Sequence, residues 1–291
     1  KVTHDLDFEI EPDTLVITSS AINDENSLVQ KAKLQGLSII KRPEFLSNLT
    51  SQYKTIGIAG THGKTTTTAL LSHIYQYNNI NHSYIYGGMT SFSGIGGHCG
   101  DSSSLVIEAD EAFRTFINFD LNDLILTNID DDHIDHYGSF EIMVDSFKQL
   151  VMNTKNISIL NIDDPIINKI QSNIDAISYG EHKSSDYQYL GNNIAICNGY
   201  EVEFKPKIPG RHFMINALGA TANAHMNGIE LEEVVDAVNN FHGVKRRLEL
   251  VGNLREISIY DDYGHHPTEM ESTIEALKHI TKGNLFVIFQ P

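Results

Sequence analysis

Short apolar runs of strand length alternate with helical patterns along most of the chain. The clearest helical pattern spans Phe140–Asn153, where apolar residues recur with a period near 3.6 and mark one buried face. Apolar runs separated by helices are typical of a mostly parallel sheet that is covered on both faces. We therefore predict an α/β fold. The predicted strands are residues 14–18, 37–41, 55–59, 104–107, 124–129, 157–162, 176–179, 257–259 and 285–289.

The pattern changes in two places along the chain. Residues 187–209 contain Asn-Gly and Gly-Asn-Asn turns between short alternating runs, which predict β-hairpins. Residues 243–247 have the composition of a linker, and a new strand–helix–strand unit is predicted over 257–289. The other predicted helices are residues 26–35, 69–77, 214–226 and 231–241.

Composition restricts the possible functions of this chain of 291 residues. Its formal net charge of −17 argues against non-specific binding to nucleic acid or to an anionic membrane. No run of about 18 apolar residues is present, and Cys99 and Cys197 are expected to be free thiols, so we predict a cytoplasmic protein. Both ends have the appearance of truncation, since Lys1 is not a methionine and the chain stops directly after an apolar run.

The most informative motif is residues 60–68, Gly-Thr-His-Gly-Lys-Thr-Thr-Thr-Thr, between a predicted strand and a predicted helix. A glycine loop in this position cradles phosphate with backbone N–H groups and the helix N-terminus. Lys64 adds a full charge, and the Thr65 hydroxyl can reach a nucleotide-bound Mg²⁺. The common phosphate-loop pattern requires glycine at position 58, which is Ile58 here, so the loop is a shortened form. The alternative is a glycine turn with a chance lysine; we predict an ATP-binding loop.

Polar residues follow two predicted strands at their carboxyl ends, where ligands bind in open parallel sheets. Glu108 follows residues 104–107, and an acidic stretch at 130–136 contains His133 and His136. A carboxylate at a strand end beside a phosphate loop is a common Mg²⁺ ligand. A solvated acidic turn is the alternative for 130–136. Zinc is a further option for the two histidines, but the neighbouring oxygen donors favour a hard cation.

A third polar cluster, residues 260–269, contains three acids, two histidines and two tyrosines in one strand-to-helix turn, with Pro267 at the start of the helix. So many polar groups favour a functional turn over a hydrated loop. Arg246 and Arg247 in the preceding linker can reach a nucleotide phosphate if the units close over it. A pair of solvated surface arginines is the alternative.

Taken together and in this order, these motifs resemble those of the Mur ligases, over essentially the whole chain. The family plan implies three domains: residues 1–52 as a remnant of a UDP-substrate domain with a partial Rossmann-like fold, 53–243 as the central ATP-binding domain, and 244–291 as the start of an amino-acid domain. Two residues depart from the family pattern. Phe213 stands where an asparagine is usual, and Arg114 follows the acidic motif that begins at Glu108.

The resemblance implies an ATP- and Mg²⁺-dependent amide ligase of peptidoglycan precursor synthesis, which joins L-alanine to the carboxylate of UDP-N-acetylmuramate through an acyl phosphate. One alternative is the murein-recycling ligase that takes a tripeptide in place of alanine. The other is a nucleotide-binding fragment without ligase activity, and we expect the 291-residue chain by itself to be inactive. A monomer or homodimer is expected, with no nucleic-acid or membrane partner.

The resemblance also implies a role for particular residues. Those that would contact the nucleotide are Gly60, Thr61, His62, Gly63, Lys64, Thr65, Thr66, His212, Asn216, Arg247 and Asp262. Those that would bind Mg²⁺ are Thr65, Glu108 and His133. Those with a catalytic role would be Lys64, His133, Arg247 and His265. Those near the other substrates would be Ser19, Ser20, Ala21, Tyr263 and His265.

Overall fold

The computed structural model describes residues 9–90, 94, 96–131, 137–172 and 174–289. Near the N-terminus, β1 (Val16–Thr18) and β2 (Ile39–Lys41) pair in parallel, and α1 (Ser27–Leu34) connects them. The helix α2 (Arg42–Thr50) follows directly. The Asn26 side chain caps α1 by accepting a hydrogen bond from the Leu28 N–H, so a local polar residue sets where this helix begins.

One large sheet dominates the described part of the chain, in the strand order β12-β11-β10-β9-β8-β7-β3-β6-β4-β5. All pairings from β10 to β4 in this order are parallel, whereas β5, β11 and β12 join antiparallel at the two edges. The prediction of a mostly parallel α/β sheet is confirmed. The strands are β3 (Lys54–Ala59), β4 (Ser83–Ile85), β5 (Gly97–His98), β6 (Ser104–Glu108), β7 (Asp123–Leu126), β8 (Ile157–Asn161), β9 (Ile177–Gly180), β10 (Tyr187–Gly191), β11 (Ile194–Cys197) and β12 (Tyr200–Glu203).

Apolar clusters cover both faces of the central strands, and successive side chains of each strand point to opposite sides. On β6, Val106 belongs to one apolar cluster, while Leu105 and Ile107 belong to the other. The first cluster lies under α3 (Lys64–Tyr77) and α6 (Arg211–Met226). The second lies under α4 (Phe140–Asn153). The helices α5 (Pro165–Gln171) and α7 (Leu231–Asn239) complete the cover.

The C-terminal unit (residues 244–289) begins with an antiparallel pair, β13 (Glu249–Leu254) and β14 (Ile257–Asp261). The helix α8 (Pro267–Ile280) follows. The predicted strand at 285–289 is wrong, because those residues have no strand structure. Phe286 is 84% exposed and Ile288 is 97% exposed. A strand needs a ladder partner, and no strand among the described residues pairs with this segment.

No helix within the described ranges is both long and apolar enough to cross a lipid bilayer.

Candidate active site

The site lies at the carboxyl ends of β3, β6 and β7, which are neighbouring interior strands of the large sheet. In the parallel register Ile58 pairs with Glu108, and Ala59 pairs with Leu126. The segments that follow these strands therefore meet at the same level. They are the phosphate loop (residues 60–65), the acidic stretch that begins at Glu108, and residues 127–131. This arrangement brings together groups that are about 50 and 70 positions apart in the sequence.

The phosphate loop is fixed by its glycines and by the neighbouring Thr127-Asn128 segment. Gly60 has φ +127° and Gly63 has φ +83°, a region that favours glycine. A Cβ at Gly60 would collide with Thr127 Oγ1. The N–H of His62 donates to Asn128 Oδ1 at 2.8 Å, and Thr127 Oγ1 donates to the His62 carbonyl at 2.7 Å. These bonds fix the conformation of the loop, so a ligand has little need to reorder it.

Lys64 lies inside the loop with its charge already partnered. Its Nζ donates to the carbonyls of Gly60 at 2.7 Å and Thr61 at 2.9 Å, and to Glu111 Oε1 at 2.9 Å. Glu111 is only 1% exposed, and burial raises the pKa of its carboxyl although Lys64 nearby opposes the shift. A phosphate that reaches Lys64 must therefore compete with Glu111. The motifs alone predicted no role for Glu111, which lies three residues after Glu108.

Thr65 and Glu108 form an oxygen-donor pair next to Lys64. Thr65 Oγ1 donates to Glu108 Oε1 at 3.0 Å, and the Gly87 N–H donates to Glu108 Oε2 at 2.8 Å. A hydroxyl and a carboxylate held this close fit Mg²⁺, which prefers oxygen ligands. His133, the third predicted metal ligand and a predicted catalytic residue, lies outside the described residues.

A cavity of about 480 Å³ opens beside the loop, between α6 and the C-terminal unit. Asn216 lies against Gly63, since a Cβ at Gly63 would come within 2.7 Å of Asn216 Oδ1. Burial lowers the pKa of His212, and the charge of Arg211 lowers it further. Phe213, which departs from the family pattern, also lines the cavity and stacks on Phe241 with ring centroids 6.1 Å apart. The predicted nucleotide residues that line this cavity are His62, Gly63, Thr66, His212, Asn216, Arg247 and Asp262.

Two acidic side chains flank His62 on opposite sides of its ring. Nε2 lies 3.2 Å from Asp130 Oδ2, and Nδ1 lies 3.5 Å from Glu269 Oε1 on α8. Burial opposes a charge on His62, but the hydrogen bonds and attraction of Glu269 and Asp130 outweigh it and raise its pKa. The bond to His62 lowers the pKa of Glu269 to about 2. These contacts favour the charged form of His62 and link the loop to the C-terminal unit.

The residues of the 260–269 turn do not all face the large cavity. Asp262 accepts from the N–H groups of Leu248 and Gly264, each at 2.7 Å, so its carboxylate holds the turn while it lines the large cavity. Tyr263 is half exposed, and Arg247 lies over its ring at 5.5 Å. His265 Nδ1 lies 3.3 Å from the Tyr263 carbonyl. Neither Tyr263 nor His265 lines the large cavity.

A smaller cavity of about 80 Å³ lies on the other side of Glu108. Its lining includes Ser19, Ser20 and Arg42 from the N-terminal region, together with Glu108 and Asp110. Glu108 therefore contacts Thr65 of the phosphate loop and also lines a cavity that the N-terminal region shares. Ala21, the third residue predicted there, is not in the lining; its N–H donates to Ser19 Oγ at 3.3 Å.

Two protein-family descriptions match the chain. Residues 58–224 match the Mur ligase middle domain, and residues 246–291 match the Mur ligase, glutamate ligase domain. The first match includes the phosphate loop, Glu108 and most of α6, and the second includes the 260–269 turn and α8. The phosphate loop, the Thr65–Glu108 pair and the 260–269 turn thus fall within the two matched regions.

Relatives of known name agree with these matches. The chain is 36% identical to the UDP-N-acetylmuramate--L-alanine ligase of Caldicellulosiruptor saccharolyticus, over 100% of this chain and 67% of that protein. It is 33% identical to the ligase of the same name from Desulforamulus reducens, over 95% of this chain and 63% of that one. The chain thus spans 67% of the length of the first relative and 63% of the length of the second.

Solved structures show the same likeness. The UDP-N-acetylmuramate-alanine ligase MurC of Thermotoga maritima superposes with a TM-score of 0.85 at 27% identity, covering 97% of this chain and 67% of that one. A murein peptide ligase of Psychrobacter arcticus superposes with a TM-score of 0.71 at 25% identity, covering 92% and 64%. With the phosphate loop, the Thr65–Glu108 pair and the family matches in agreement, the chain belongs to the Mur ligase family.

Proposed function

We propose that this chain provides the ATP-dependent step of a ligase that joins L-alanine to the carboxylate of UDP-N-acetylmuramate. The observation that carries the proposal is the position of Glu108, which contacts Thr65 on one side and lines the Ser19–Ser20 cavity on the other. A group bound at Glu108 can therefore face both a nucleotide phosphate and an acceptor substrate. Phosphoryl transfer to a carboxylate requires this juxtaposition.

The large cavity is the proposed nucleotide site. His212 and Asn216 on α6 would contact the adenine, and the residues of the loop from Gly60 to Thr66 would hold the phosphates. Lys64 would exchange its bond to Glu111 for one to the γ-phosphate. Arg247 and Asp262 line the same cavity from the C-terminal unit and would complete the nucleotide site on closure.

Thr65 and Glu108 are the proposed Mg²⁺ ligands, and His133 joins them by family resemblance alone. When bound, Mg²⁺ neutralises negative charge on the phosphates and on the acceptor carboxylate. These residues fit Mg²⁺ because Thr65 Oγ1 and Glu108 Oε1 lie 3.0 Å apart. The Gly87 N–H fixes the Glu108 carboxylate by donating to its other oxygen, Oε2. The protein's own contribution is to hold these donors in place before the substrates arrive.

The remaining contacts concern the acceptor and the amine. Ser19, Ser20 and Ala21 are proposed to lie near the uridine moiety, and the first two line the smaller cavity. Tyr263 and His265 are proposed to lie near the amino acid. A carboxylate is a poor acyl donor, and phosphorylation by ATP gives an acyl phosphate that the amine of alanine can attack. Arg247, partly held by Glu269 at 3.5 Å, is proposed to steady the phosphate that leaves.

The proposed domains are residues 1–52, 53–243 and 244–291. The separate β1–β2 sheet, the large central sheet and the β13–β14 sheet support this division. The names of the relatives support alanine as the amino acid. We place the reaction in the cytoplasm, where ATP and UDP-linked sugars are available.

An amino-acid panel on the intact protein tests this proposal. ADP formation is measured with ATP, Mg²⁺ and UDP-N-acetylmuramate, and with L-alanine, glycine, L-serine, D-glutamate or the preformed tripeptide in turn. We expect ADP release with L-alanine to exceed the release with every other amine by at least about tenfold. Equal release with the tripeptide would favour the murein-recycling activity instead. Nucleotide binding without ADP release under any condition would support a nucleotide-binding module without ligase activity.

A further inference from the structure

The geometry points to a binding site for one transition-metal ion of the Zn²⁺ type, formed by His62, Asp130 and His266. The three residues come from the phosphate loop, from the segment after β7, and from the N-cap position of α8. Their ligand atoms all lie within 4.8 Å of one another. The site differs in residues and in ligand chemistry from the proposed Mg²⁺ site at Thr65 and Glu108.

The spacing of the three groups already approaches that of bound ligands. Ligand atoms at tetrahedral Zn²⁺ distances of about 2.0–2.2 Å stand roughly 3.3–3.6 Å apart. His62 Nε2 and Asp130 Oδ2 are 3.2 Å apart, close to that value. The rings of His62 and His266 lie 4.9 Å apart between centroids, at an interplanar angle of 33°. The ligand atom of the half-buried His266 lies within 4.8 Å of the other two, so it must move closer to complete three ligands.

The groups around these ligands are those that usually support a metal site. A histidine that binds a metal through one nitrogen commonly presents the other nitrogen to a carboxylate. His62 meets this condition, because Nδ1 lies 3.5 Å from Glu269 Oε1 while Nε2 faces Asp130. The Asp130 carboxylate also accepts from Thr268 Oγ1 at 3.0 Å and from the Asp131 N–H at 2.8 Å. Both ligands are thus oriented before an ion arrives.

The ligand set selects the class of ion. Two imidazoles and one carboxylate suit Zn²⁺, and also Co²⁺ or Ni²⁺, whereas Mg²⁺ prefers oxygen ligands alone. Binding requires that His62 Nε2 carries no proton. Because His62 lines the large cavity and His266 begins α8, a bound ion would tie the C-terminal unit to the phosphate loop.

The test is calorimetric titration of ZnCl₂ into the nucleotide-free and Mg²⁺-free 291-residue chain. We expect one high-affinity equivalent, with an affinity at least tenfold lower in His266→Gln. The matched control is His279→Gln, which removes an exposed imidazole from the other end of the same helix and should leave the affinity within twofold. Millimolar Mg²⁺ should not compete with Zn²⁺.

A second readout reports where the ion binds. Zn²⁺ should slow amide hydrogen exchange in the first turn of α8 in the unaltered chain but not in His266→Gln. Glu269→Gln should weaken binding about 10- to 100-fold, as for a group that orients a ligand. An affinity for Zn²⁺ in His266→Gln equal to that of the unaltered chain would overturn the proposal. An equal loss in His279→Gln and His266→Gln would overturn it too, because it would indicate general surface binding by histidines.

Discussion

The two walls of the large cavity are built in different ways. The loop wall (residues 60–66 with Asn128) is held by hydrogen bonds between its backbone and the uncharged side chains of Thr127 and Asn128, and Thr61 and Thr65 are largely buried. The α8 wall (α8 with Arg247 and Asp262) meets the loop mainly through ionisable side chains, at His62–Glu269 and Asp130–Thr268. Neutral backbone bonds depend little on pH or salt, whereas ion pairs near the surface depend on both. Closure of the α8 wall should therefore respond to conditions that leave the loop wall unchanged.

The largest expected effect concerns the loop wall. Lys64→Ala should weaken Mg²⁺–ATP binding at least about 100-fold, because it removes the charged hydrogen bonds to the phosphate. Calorimetric titration with ATP measures the loss. The matched control, Lys169→Ala, removes an exposed lysine on α5 and should leave the affinity unchanged. Unchanged ATP affinity in Lys64→Ala would contradict the assignment of the loop.

The next effect concerns the metal. Glu108→Gln should reduce the enhancement of ATP affinity by Mg²⁺ about tenfold, since a neutral amide is a weaker Mg²⁺ ligand than a carboxylate. The comparison is between titrations with and without Mg²⁺. The variant Glu141→Gln changes an exposed carboxylate on α4 and should show the full enhancement. An undiminished Mg²⁺ effect in Glu108→Gln would exclude Glu108 as a ligand.

A smaller effect of opposite sign is expected at Glu111. Glu111→Gln should bind ATP about two- to tenfold more tightly, because it removes the charge that competes with phosphate for Lys64. The same variant should unfold at a lower urea concentration, since it breaks a buried ion pair. Weaker ATP binding by a folded Glu111→Gln protein would show that Glu111 positions Lys64 for the phosphate rather than competing with it.

The smallest effect concerns the α8 wall and its dependence on pH. The folded-state pKa of His62 is raised above 6.5, so its contribution to stability is complete below that value and is lost as pH rises through the folded pKa. Glu269, with a folded pKa of about 2, contributes above its unfolded value of 4.5 and loses the contribution only in strong acid. The contact should therefore be strongest between pH 4.5 and pH 6.5.

Urea unfolding of His62→Gln and the unaltered chain measures this window. The free energy of unfolding should differ by about 1 kcal/mol near pH 5.5 and by much less near pH 8.5. His279→Gln, which changes an exposed histidine, should show no such pH-dependent difference. A difference that grows towards alkaline pH would contradict the pairing of His62 with Glu269.

Local signals predicted the elements they control. Phe140–Asn153 forms a helix with the predicted bounds, because one apolar stripe and the Ser139 cap agree. The helix α3 begins at Lys64, whereas the pattern placed its start at residue 69. The run of threonines has no apolar period, but Thr67 and Thr68 donate to the carbonyls of Gly63 and Lys64 four residues earlier. The helix α5 was missed although Asp164-Pro165 is a recognisable start signal.

Some contacts of the site could be predicted from the sequence, and others, between residues far apart in the chain, could not. The loop glycines and the Thr65–Glu108 pair follow from strand ends that meet in a parallel sheet, which the pattern predicts. The Lys64–Glu111 pair depends on the path of the chain after β6, and the His62–Glu269 contact joins residues from two units. No local period encodes either pairing. The exposed 285–289 segment shows the converse, since an apolar run without a ladder partner does not form a strand.

The central claim is that a substrate carboxylate is activated as an acyl phosphate beside Glu108 and Lys64. The most direct test uses UDP-N-acetylmuramate with ¹⁸O at both oxygens of its carboxylate, incubated with the intact protein, ATP, Mg²⁺ and L-alanine. An acyl phosphate forms through a carboxylate oxygen, and that oxygen leaves with the phosphate when the amine attacks. Mass spectrometry of the released phosphate should therefore find one ¹⁸O per turnover. Released phosphate without ¹⁸O, at a rate that depends on alanine, would contradict this account.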